Sequence, residues 1–216
     1  MRQRSLLIGG LAAVAAALLV AATATAIGLS GSSFARPGGM MGVAGARGTG
    51  SIGIDRATSV ARGVAASYPA GGLVVDEVIE FSNGYYASIR EKSTGIGAFE
   101  ILIDRATGRV TREPGPDMMW NTSDGMMTGG MVGGTYARTG STSVSSAQAR
   151  DIAQRWLDAN RPGTTANAPD AFHGYYTVDF EKDGRLAGML SLNGSSGAVW
   201  YHSWHGAFVQ VRDLGA

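Results

Sequence analysis

Cysteine is absent from the 216 residues, and histidine occurs only at His173, His202 and His205. The missing thiols exclude disulfides, iron–sulfur clusters, thiol nucleophiles and cysteine-based zinc sites. The sequence contains no H-E-x-x-H or G-x-S-x-G motif, so it offers neither the zinc site of a zincin nor the nucleophile of an α/β-hydrolase. A net charge of +1 leaves no excess of basic side chains for nonspecific nucleic-acid binding. The sequence therefore predicts a protein that is not an enzyme and has no nucleic-acid partner.

One long apolar run, residues 6–29, follows Arg2 and Arg4 and carries no charged side chain. A run of this length can cross a bilayer, and the preceding positive charges favour the cytoplasmic side, which places the rest of the chain outside the cytoplasm. The run has two interpretations: a single-pass membrane anchor, or a signal peptide cleaved after an A-x-A sequence at 22–24 or 24–26. The predicted location is the cell membrane with an extracytoplasmic folded region, and the alternative is secretion after cleavage.

The composition changes after the apolar run. The next segment is rich in glycine and serine and has no apolar period, which is typical of a flexible tether. From residue 54 the chain repeats itself with an offset of about 90 residues. We therefore predict five segments: a signal peptide or membrane anchor (1–29), a Gly/Ser-rich linker (30–53), a first unit (54–112), a Met/Gly-rich connector (113–143) and a second unit (144–216).

Each predicted unit begins with an amphipathic helix. The first helix is expected to have Asp55 as its N-cap. Its apolar face consists of Ala57, Val60, Ala61, Val64 and Tyr68. In the second helix Ser145 and Gln148 match a capping box, with Val144 as a hydrophobic staple and Pro162 beyond the end. Its apolar face consists of Ala149, Ile152, Ala153, Trp156 and Leu157.

Alternating strands are predicted after each helix. A Gly-Tyr-Tyr sequence occurs at 84–86 and again at 174–176, each followed by a strand pattern. Asp183-Gly184 predicts a two-residue hairpin turn. Residues 101–110 and 190–199 then align as two strands joined by an Asp/Asn-x-x-[ST]-Gly turn. The predicted fold class is α+β, with a helix packed on a small antiparallel sheet in each unit.

The closing strand, its Asp/Asn-x-x-[ST]-Gly turn and the strand that follows resemble the PepSY domain family. Asp104–Val110 fits the terminal motif of that family, and Asn193–Val199 fits it less strictly. The resemblance covers most of 54–112 and 145–205, and it implies two tandem PepSY-like units. Such domains occur in propeptides of secreted metalloproteases and in extracytoplasmic parts of membrane proteins. The resemblance implies inhibitory or regulatory binding of a peptide or protein partner, such as a secreted protease, and it supplies no catalytic residues.

The connector is the first candidate for ligand binding. It contains five methionines, Met118, Met119, Met126, Met127 and Met131. Thioethers are soft ligands that prefer Cu(I) or Ag(I) to Zn(II). The alternative is that methionine fills irregular gaps where this segment packs over a sheet. The surrounding Gly, Ser and Thr residues lack the apolar period of a core element, so soft-metal binding stays open.

The second candidate is the Y-H-S-W-H-G segment at 201–206. In an extended strand His202 and His205 would point to opposite faces, whereas on a turn they would converge. A continuous strand would place Trp200, His202 and Trp204 on one face. As a pair, the histidines are interpreted as packing and hydrogen-bonding groups. If they approach the connector methionines, histidine and methionine together would form a Cu(I) set.

The sequence as a whole predicts a noncatalytic extracytoplasmic module that docks a peptide or protein partner and regulates a protease or envelope process. No cofactor is required for that function. The alternative is a protein that binds or handles Cu(I) or Ag(I). Its ligands would be Met118, Met119, Met126, Met127, Met131, His202 and His205.

Overall fold

The computed structural model describes residues 50–68, 72–125 and 142–215, and within them the fold is α+β as predicted. All described residues belong to one of the two units into which the chain divides, Ala44–Ala216. The described residues form the helices α1 (Ile54–Ser67), α2 (Pro116–Met119) and α3 (Ser146–Asn160). They also form the strands β1 (Leu73–Phe81), β2 (Gly84–Glu91), β3 (Gly97–Asp104), β4 (Val110–Arg112), β5 (Thr165–Ala166), β6 (Asp170–Phe172), β7 (Tyr175–Lys182), β8 (Arg185–Asn193), β9 (Val199–Tyr201) and β10 (Phe208–Asp213).

The predicted leader, residues 1–29, and most of the linker lie outside the described residues. Among the helices that the structure describes, none is long and apolar enough to span a membrane. The predicted connector is described up to residue 125, where it contains the short helix α2.

The strands form one mixed sheet instead of the two small antiparallel sheets that the sequence predicts. Its order is β10-β1-β2-β3-β6-β7-β8-β9, with β4 paired to β3 and β5 paired to β7. Within the described strands, the one parallel pairing joins β3 to β6 through Gly97 and Phe172. Strand β10 runs antiparallel to β1, with Arg212 opposite Val78. The sequence analysis predicted neither β1 nor β10, so it missed this pairing between strands that are far apart in the sequence.

Helix α1 packs on one face of β1, β2 and β3. The residues predicted for its apolar face are buried or half-buried against Tyr85, Ala87, Ile89, Phe99, Ile101 and Ile103. The predicted N-cap at Asp55 is wrong, because Gly53 is the N-cap and makes no side-chain capping bond. Asp55 lies in the first turn, where a carboxylate interacts favourably with the positive end of the helix dipole. It also accepts a hydrogen bond from Arg212 of β10.

Helix α3 packs on β7 and β8 in the same manner. All five residues predicted for its apolar face join a second core cluster with Tyr176, Val178, Phe180, Leu190 and Leu192. The predicted capping box is present: the backbone N–H of Gln148 donates to Ser145 Oγ at 3.3 Å, and the backbone N–H of Ser145 donates to Gln148 Oε1 at 2.8 Å. Both bonds satisfy amides that the helix itself leaves without acceptors.

Replacing Ser145 with alanine should lower the free energy of unfolding by about 1 kcal/mol, because the Gln148 amide loses its acceptor. Urea denaturation followed by far-UV circular dichroism measures the change. Ser195→Ala serves as the control, since Ser195 is exposed in the β8–β9 turn. An equal effect of the two substitutions would show that the capping box does not stabilise α3.

A third apolar cluster lies on the sheet faces that point away from α1 and α3. Ile79, Phe81 and Tyr86 come from β1 and β2, whereas Met189 comes from β8. Successive side chains of a strand point to opposite faces of the sheet. These residues therefore lie on the face of the sheet that does not contact the helices. Strands β2 and β8 are several strands apart in the sheet. The sheet therefore folds over on itself, and its two inner faces meet.

The two Asp/Asn-x-x-[ST]-Gly turns have the same geometry. Asp104 Oδ1 accepts backbone bonds from residues 106 and 107 at 3.2 and 2.8 Å. Asn193 Oδ1 accepts them from residues 195 and 196 at 3.0 and 2.9 Å. The final residue of each turn, Gly108 or Gly197, has φ +70 or +71, a left-handed conformation that favours glycine. The alignment of 101–110 with 190–199 is therefore confirmed in backbone geometry.

The two Gly-Tyr-Tyr sequences are not equivalent residue for residue. Gly84 pairs with Asp104, whereas in the corresponding strand Tyr175 pairs with Asn193. The strands are therefore offset by one position relative to the sequence match. Because side chains alternate, the first tyrosine of one copy, Tyr85, packs under its helix, while Tyr175 points into the interior.

Candidate functional site

Polar side chains from several strands meet in the interior between the two inner faces of the sheet. Those from strands are Tyr86 of β2, Glu100 of β3, Tyr175 and Thr177 of β7, and Ser191 of β8. The segment after β4 adds Glu113, and α2 adds Asp117. Glu100, Glu113 and Asp117 each have 0% exposure. Buried carboxyl groups are costly without partners, so this cluster is a candidate functional site.

Glu100 is held by three hydroxyl groups. Tyr86 and Thr177 donate to its Oε1 at 2.6 and 2.7 Å. Tyr175 lies 2.9 Å from its Oε2 and 3.1 Å from Asp117 Oδ1. On its far side, Asp117 pairs with Arg112 at 2.7 Å. These bonds join the first and second predicted units through buried polar groups.

The buried position changes the protonation of both carboxyl groups. Burial, together with the nearby carboxyls of Glu113 and Asp117, raises the pKa of Glu100 well above its ordinary value. Burial also raises the pKa of Asp117, against the opposing effect of Arg112. Glu100 therefore keeps its proton at pH values where an exposed glutamate is ionised. A protonated Glu100 can donate to the hydroxyl of Tyr175, which can then donate to Asp117.

The polar network continues from Thr177 to the C-terminal histidines. Thr177 Oγ1 lies 3.3 Å from Ser191 Oγ, which lies 2.9 Å from His202 Nε2. Beyond His202, Glu113 Oε1 lies 2.9 Å from His205 Nε2 and 3.4 Å from His202 Nδ1. Glu113, His202 and His205 each place one possible metal-ligand atom within 4.8 Å of the other two.

The two histidines converge because the strand stops before them. Strand β9 ends at Tyr201, and a turn follows at residues 203 and 204. Of the two backbone geometries considered from the sequence, the turn is therefore the one present. The rings of His202 and His205 have centroids 5.6 Å apart. His202 is buried while Trp200 is 37% exposed, and the rings of His202 and Trp204 stack with centroids 4.6 Å apart.

Glu113 is ionised although it is fully buried. Burial opposes its charge, but the nearby His202 and the hydrogen bond with His205 outweigh burial and hold the pKa of this carboxyl well below its ordinary value. Burial lowers the pKa of His205, and Glu113 opposes that effect. Trp204 Nε1 donates to Glu113 Oε1 at 3.0 Å. Among the described residues, Glu113 Oε2 and His202 Nδ1 have no hydrogen-bond partner.

The structure describes two of the five connector methionines. Met118 and Met119 belong to α2, where Met118 is half-buried and Met119 is 58% exposed. Met126, Met127 and Met131 lie outside the described residues. The predicted Cu(I) set of methionine and histidine therefore stays a prediction, while the residue found against both histidines is Glu113.

An open cleft of about 490 Å³ adjoins His205. Phe81, Tyr85, Leu102 and Trp204 line it with aromatic and aliphatic surface. Arg109 and Thr111 also line it, and both are exposed. A concave, mostly apolar surface with a few polar groups is typical of a ligand site.

Comparisons of the chain with protein-family models, with curated proteins and with solved structures find no match. The PepSY resemblance therefore stays a prediction from the turn motif. Function is inferred from the geometry of the cleft and of the buried polar cluster.

Sequence reasoning missed the acidic members of the cluster. Glu100 interrupts the apolar run Phe99–Ile103, and a charged residue inside a strand pattern is a signal that could have been followed. Glu113 has no such signal, because it follows the short strand β4 in a polar segment. Only the folded chain brings Glu113 to the histidines.

Proposed function

We propose that this chain is an exported, noncatalytic binding module that docks a peptide segment of a protein partner in the cleft beside His205. The cleft is the observation that carries the proposal. Its volume of about 490 Å³ lies within the range of about 300–1,000 Å³ that is usual for ligand pockets. Export follows from the apolar run at 6–29, and the noncatalytic character follows from the missing catalytic motifs.

The surface of the cleft favours a peptide with an apolar side chain beside an acidic group. Trp204 and Leu102 offer apolar contact area, and an aromatic wall is a common anchor point in protein interfaces. Arg109 is exposed at the same cleft and can pair with a carboxylate. A peptide that satisfies both features would bury apolar area and keep its charge paired.

Two tandem PepSY-like units are the proposed architecture behind this module. The matching turns at Asp104 and Asn193, and the helix that packs on neighbouring strands in each part, support this view. From the family resemblance, the proposed partner is a secreted protease or another extracytoplasmic protein, and the proposed role is its regulation.

The cleft is tested by selecting binding peptides from a displayed random library with the full chain as bait. Substituting Thr111→Trp, which fills the cleft, should weaken the selected peptides at least about tenfold, because a buried anchor side chain is worth more than about 1.4 kcal/mol. Arg109→Glu should act in the same direction on acidic peptides. Fluorescence anisotropy measures each dissociation constant.

Arg185→Glu is the matched control for the charge reversal, since Arg185 is exposed at the β7–β8 turn and does not line the cleft. This control should bind the selected peptides as the unchanged protein does. Peptides that bind all three variants equally well would refute docking in the cleft.

A second candidate function is soft-metal binding by the connector methionines together with His202 and His205. The turn after β9 brings the rings of His202 and His205 to a centroid distance of 5.6 Å, which is compatible with one shared metal ion. Cu(I) or Ag(I) would then be held by Met118, Met119, Met126, Met127 and Met131 with the histidines. A chain with leucine at all five methionine positions would then lose its competition with a Cu(I) chelator.

A further inference from the structure

We propose that Glu113, His202 and His205 form a binding site for a divalent transition-metal ion such as Zn²⁺. The three residues come from two distant chain segments, the end of β4 and the turn after β9, and the fold brings them together in the interior. Imidazole and carboxylate are the donor types that bind this class of ion in proteins. The site is independent of peptide docking, which concerns the neighbouring cleft.

The distances between the donor atoms fit one small ion. Ligands bonded at about 2.0–2.1 Å to a tetrahedral ion lie about 3.3 Å from one another. Glu113 Oε1 lies 2.9 Å from His205 Nε2 and 3.4 Å from His202 Nδ1. All three donor atoms lie within 4.8 Å of one another.

Two buried donor atoms in this cluster have no partner among the described residues: Glu113 Oε2 and His202 Nδ1. Glu113 is 0% exposed and His202 is 1% exposed, so solvent does not satisfy either atom. An unpaired buried acceptor costs about 1–3 kcal/mol, and more when it is charged. A cation held by both carboxylate oxygens of Glu113 and by Nδ1 of His202 would satisfy both atoms at once.

The surroundings hold the donors in suitable orientations. Ser191 Oγ lies 2.9 Å from His202 Nε2, so an Nε2–H that donates to Ser191 leaves the lone pair of Nδ1 toward Glu113. Trp204 donates to Glu113 Oε1 at 3.0 Å and so helps to hold the carboxylate in place. The ring of His205 stacks on Phe81 with centroids 4.3 Å apart. Outer hydrogen bonds and packing of this kind are typical of metal-binding histidines.

The site adjoins the open cleft at His205. His205 and Trp204 line the open cleft, and both contact the buried Glu113. Three protein ligands leave the fourth tetrahedral position for water or for a ligand from the cleft. The donor set of two nitrogens and one oxygen contains no sulfur, which separates this site from the Cu(I) set of the methionines.

Co²⁺ is a suitable probe, because its visible absorption reports coordination by nitrogen and oxygen. The full chain is purified in detergent, treated with a chelator, dialysed and titrated with Co²⁺ and then Zn²⁺ at neutral pH. We expect a visible band that saturates at about one Co²⁺ per chain and is lost when Zn²⁺ displaces it. Zn²⁺ should also raise the melting temperature of the chelator-treated chain.

Glu113→Gln keeps the shape of the side chain and removes its charge. We expect it to weaken Zn²⁺ binding at least about 100-fold. Ser191→Ala should weaken Zn²⁺ binding about 10-fold, although all three ligands remain.

The matched control is His173→Gln, since His173 does not belong to the proposed site and pairs with the partly exposed Glu91 at 2.9 Å. This control should bind Co²⁺ and Zn²⁺ as the unchanged chain does. Far-UV circular dichroism checks that each variant is folded, and Ser191→Ala keeps the test decisive if Glu113→Gln unfolds.

The proposal is overturned if the unchanged chain gives no Co²⁺ band and no Zn²⁺-dependent shift in melting temperature. It is also overturned if Ser191→Ala and a folded Glu113→Gln variant bind Zn²⁺ normally. A chain with leucine at the five connector methionines should bind Zn²⁺ normally. Loss of binding in that chain would overturn the proposal in favour of a methionine site. None of these outcomes depends on whether the cleft binds peptides.

Discussion

Tyr175→Ala should lower the free energy of unfolding by roughly 3–5 kcal/mol, because it removes a fully buried aromatic ring. The ring of Tyr175 stacks on Phe172 with centroids 4.8 Å apart. Phe172 is the residue that pairs with Gly97 where β3 joins β6. The substitution therefore opens a cavity at the junction of the sheet and leaves Glu100 Oε2 without its hydroxyl. Guanidinium denaturation monitored by tryptophan fluorescence measures the loss.

Tyr175→Phe separates the hydroxyl from the ring. It should cost about 1–3 kcal/mol, because a buried carboxyl oxygen of Glu100 loses its partner. Tyr176→Phe is the matched control, since the adjacent hydroxyl donates to the backbone oxygen of Val144 in a partly exposed position. The control should cost about 1 kcal/mol or less. If both substitutions cost the same, the buried carboxyl does not depend on Tyr175.

Glu100→Gln should change how stability depends on pH. Below the ordinary pKa of 4.5, Glu100 holds its proton in both the folded and the unfolded chain. Above that pH the unfolded chain loses the proton while the folded chain keeps it, because the folded pKa is raised. The free energy of unfolding then falls by about 1.4 kcal/mol per pH unit until the folded carboxyl titrates as well. Glutamine carries no such proton, so the variant should lack this part of the decline.

The glutamine side chain in this variant would reproduce the bonds of a protonated Glu100: its oxygen accepts from Tyr86 and Thr177, and its NH₂ group donates to Tyr175. We therefore expect the variant to gain stability relative to the unchanged chain as pH rises above 4.5, until the folded carboxyl titrates. Urea denaturation in a chelator at several pH values measures this difference. A constant difference across that range would show that Glu100 is ionised in the folded chain.

Glu91→Gln is a control with the opposite sign. Hydrogen bonds from Thr94 and His173 lower the pKa of Glu91. Its contribution to stability is therefore present above its ordinary pKa and is lost as pH falls through the folded value. The Glu91→Gln variant should differ from the unchanged chain most above that pH and least in acid.

Local elements were predictable where short-range chemistry decides them. The capping box of Ser145 and Gln148 needs only neighbouring residues, and the structure confirms it. The Asp183-Gly184 turn connects β7 and β8 as predicted, with Lys182 opposite Arg185. Asp55 was assigned wrongly because a carboxylate in the first turn and a carboxylate at the N-cap give nearly the same sequence pattern.

The repeat was more difficult to interpret. The Gly-Tyr-Tyr match is the more conspicuous similarity, yet the turns at Asp104 and Asn193 are what align the two parts in space. A one-residue offset reverses the face of every side chain in a strand. That offset directs Tyr175 toward Glu100 and leaves Tyr85 under α1.

The sequence predicted the histidines of the candidate site but not its acidic residues. The sequence singled out His202 and His205 as the residues whose geometry depends on a turn, and the turn is present. It did not single out Glu113, Glu100 or Ser191, because each is an ordinary polar residue in its local context. Their burial depends on the sheet folding over on itself, which no local pattern encodes.

The α+β class, the apolar faces of α1 and α3, and the geometry of the turns could be predicted from the sequence, since they depend on residues a few positions apart. Tertiary structure alone decided that β10 pairs with β1, that one sheet folds over a polar interior, and that Glu113 meets two histidines from the far end of the chain. These contacts join residues that are distant in sequence, and which of them form depends on the burial of the whole sheet and not on any local preference.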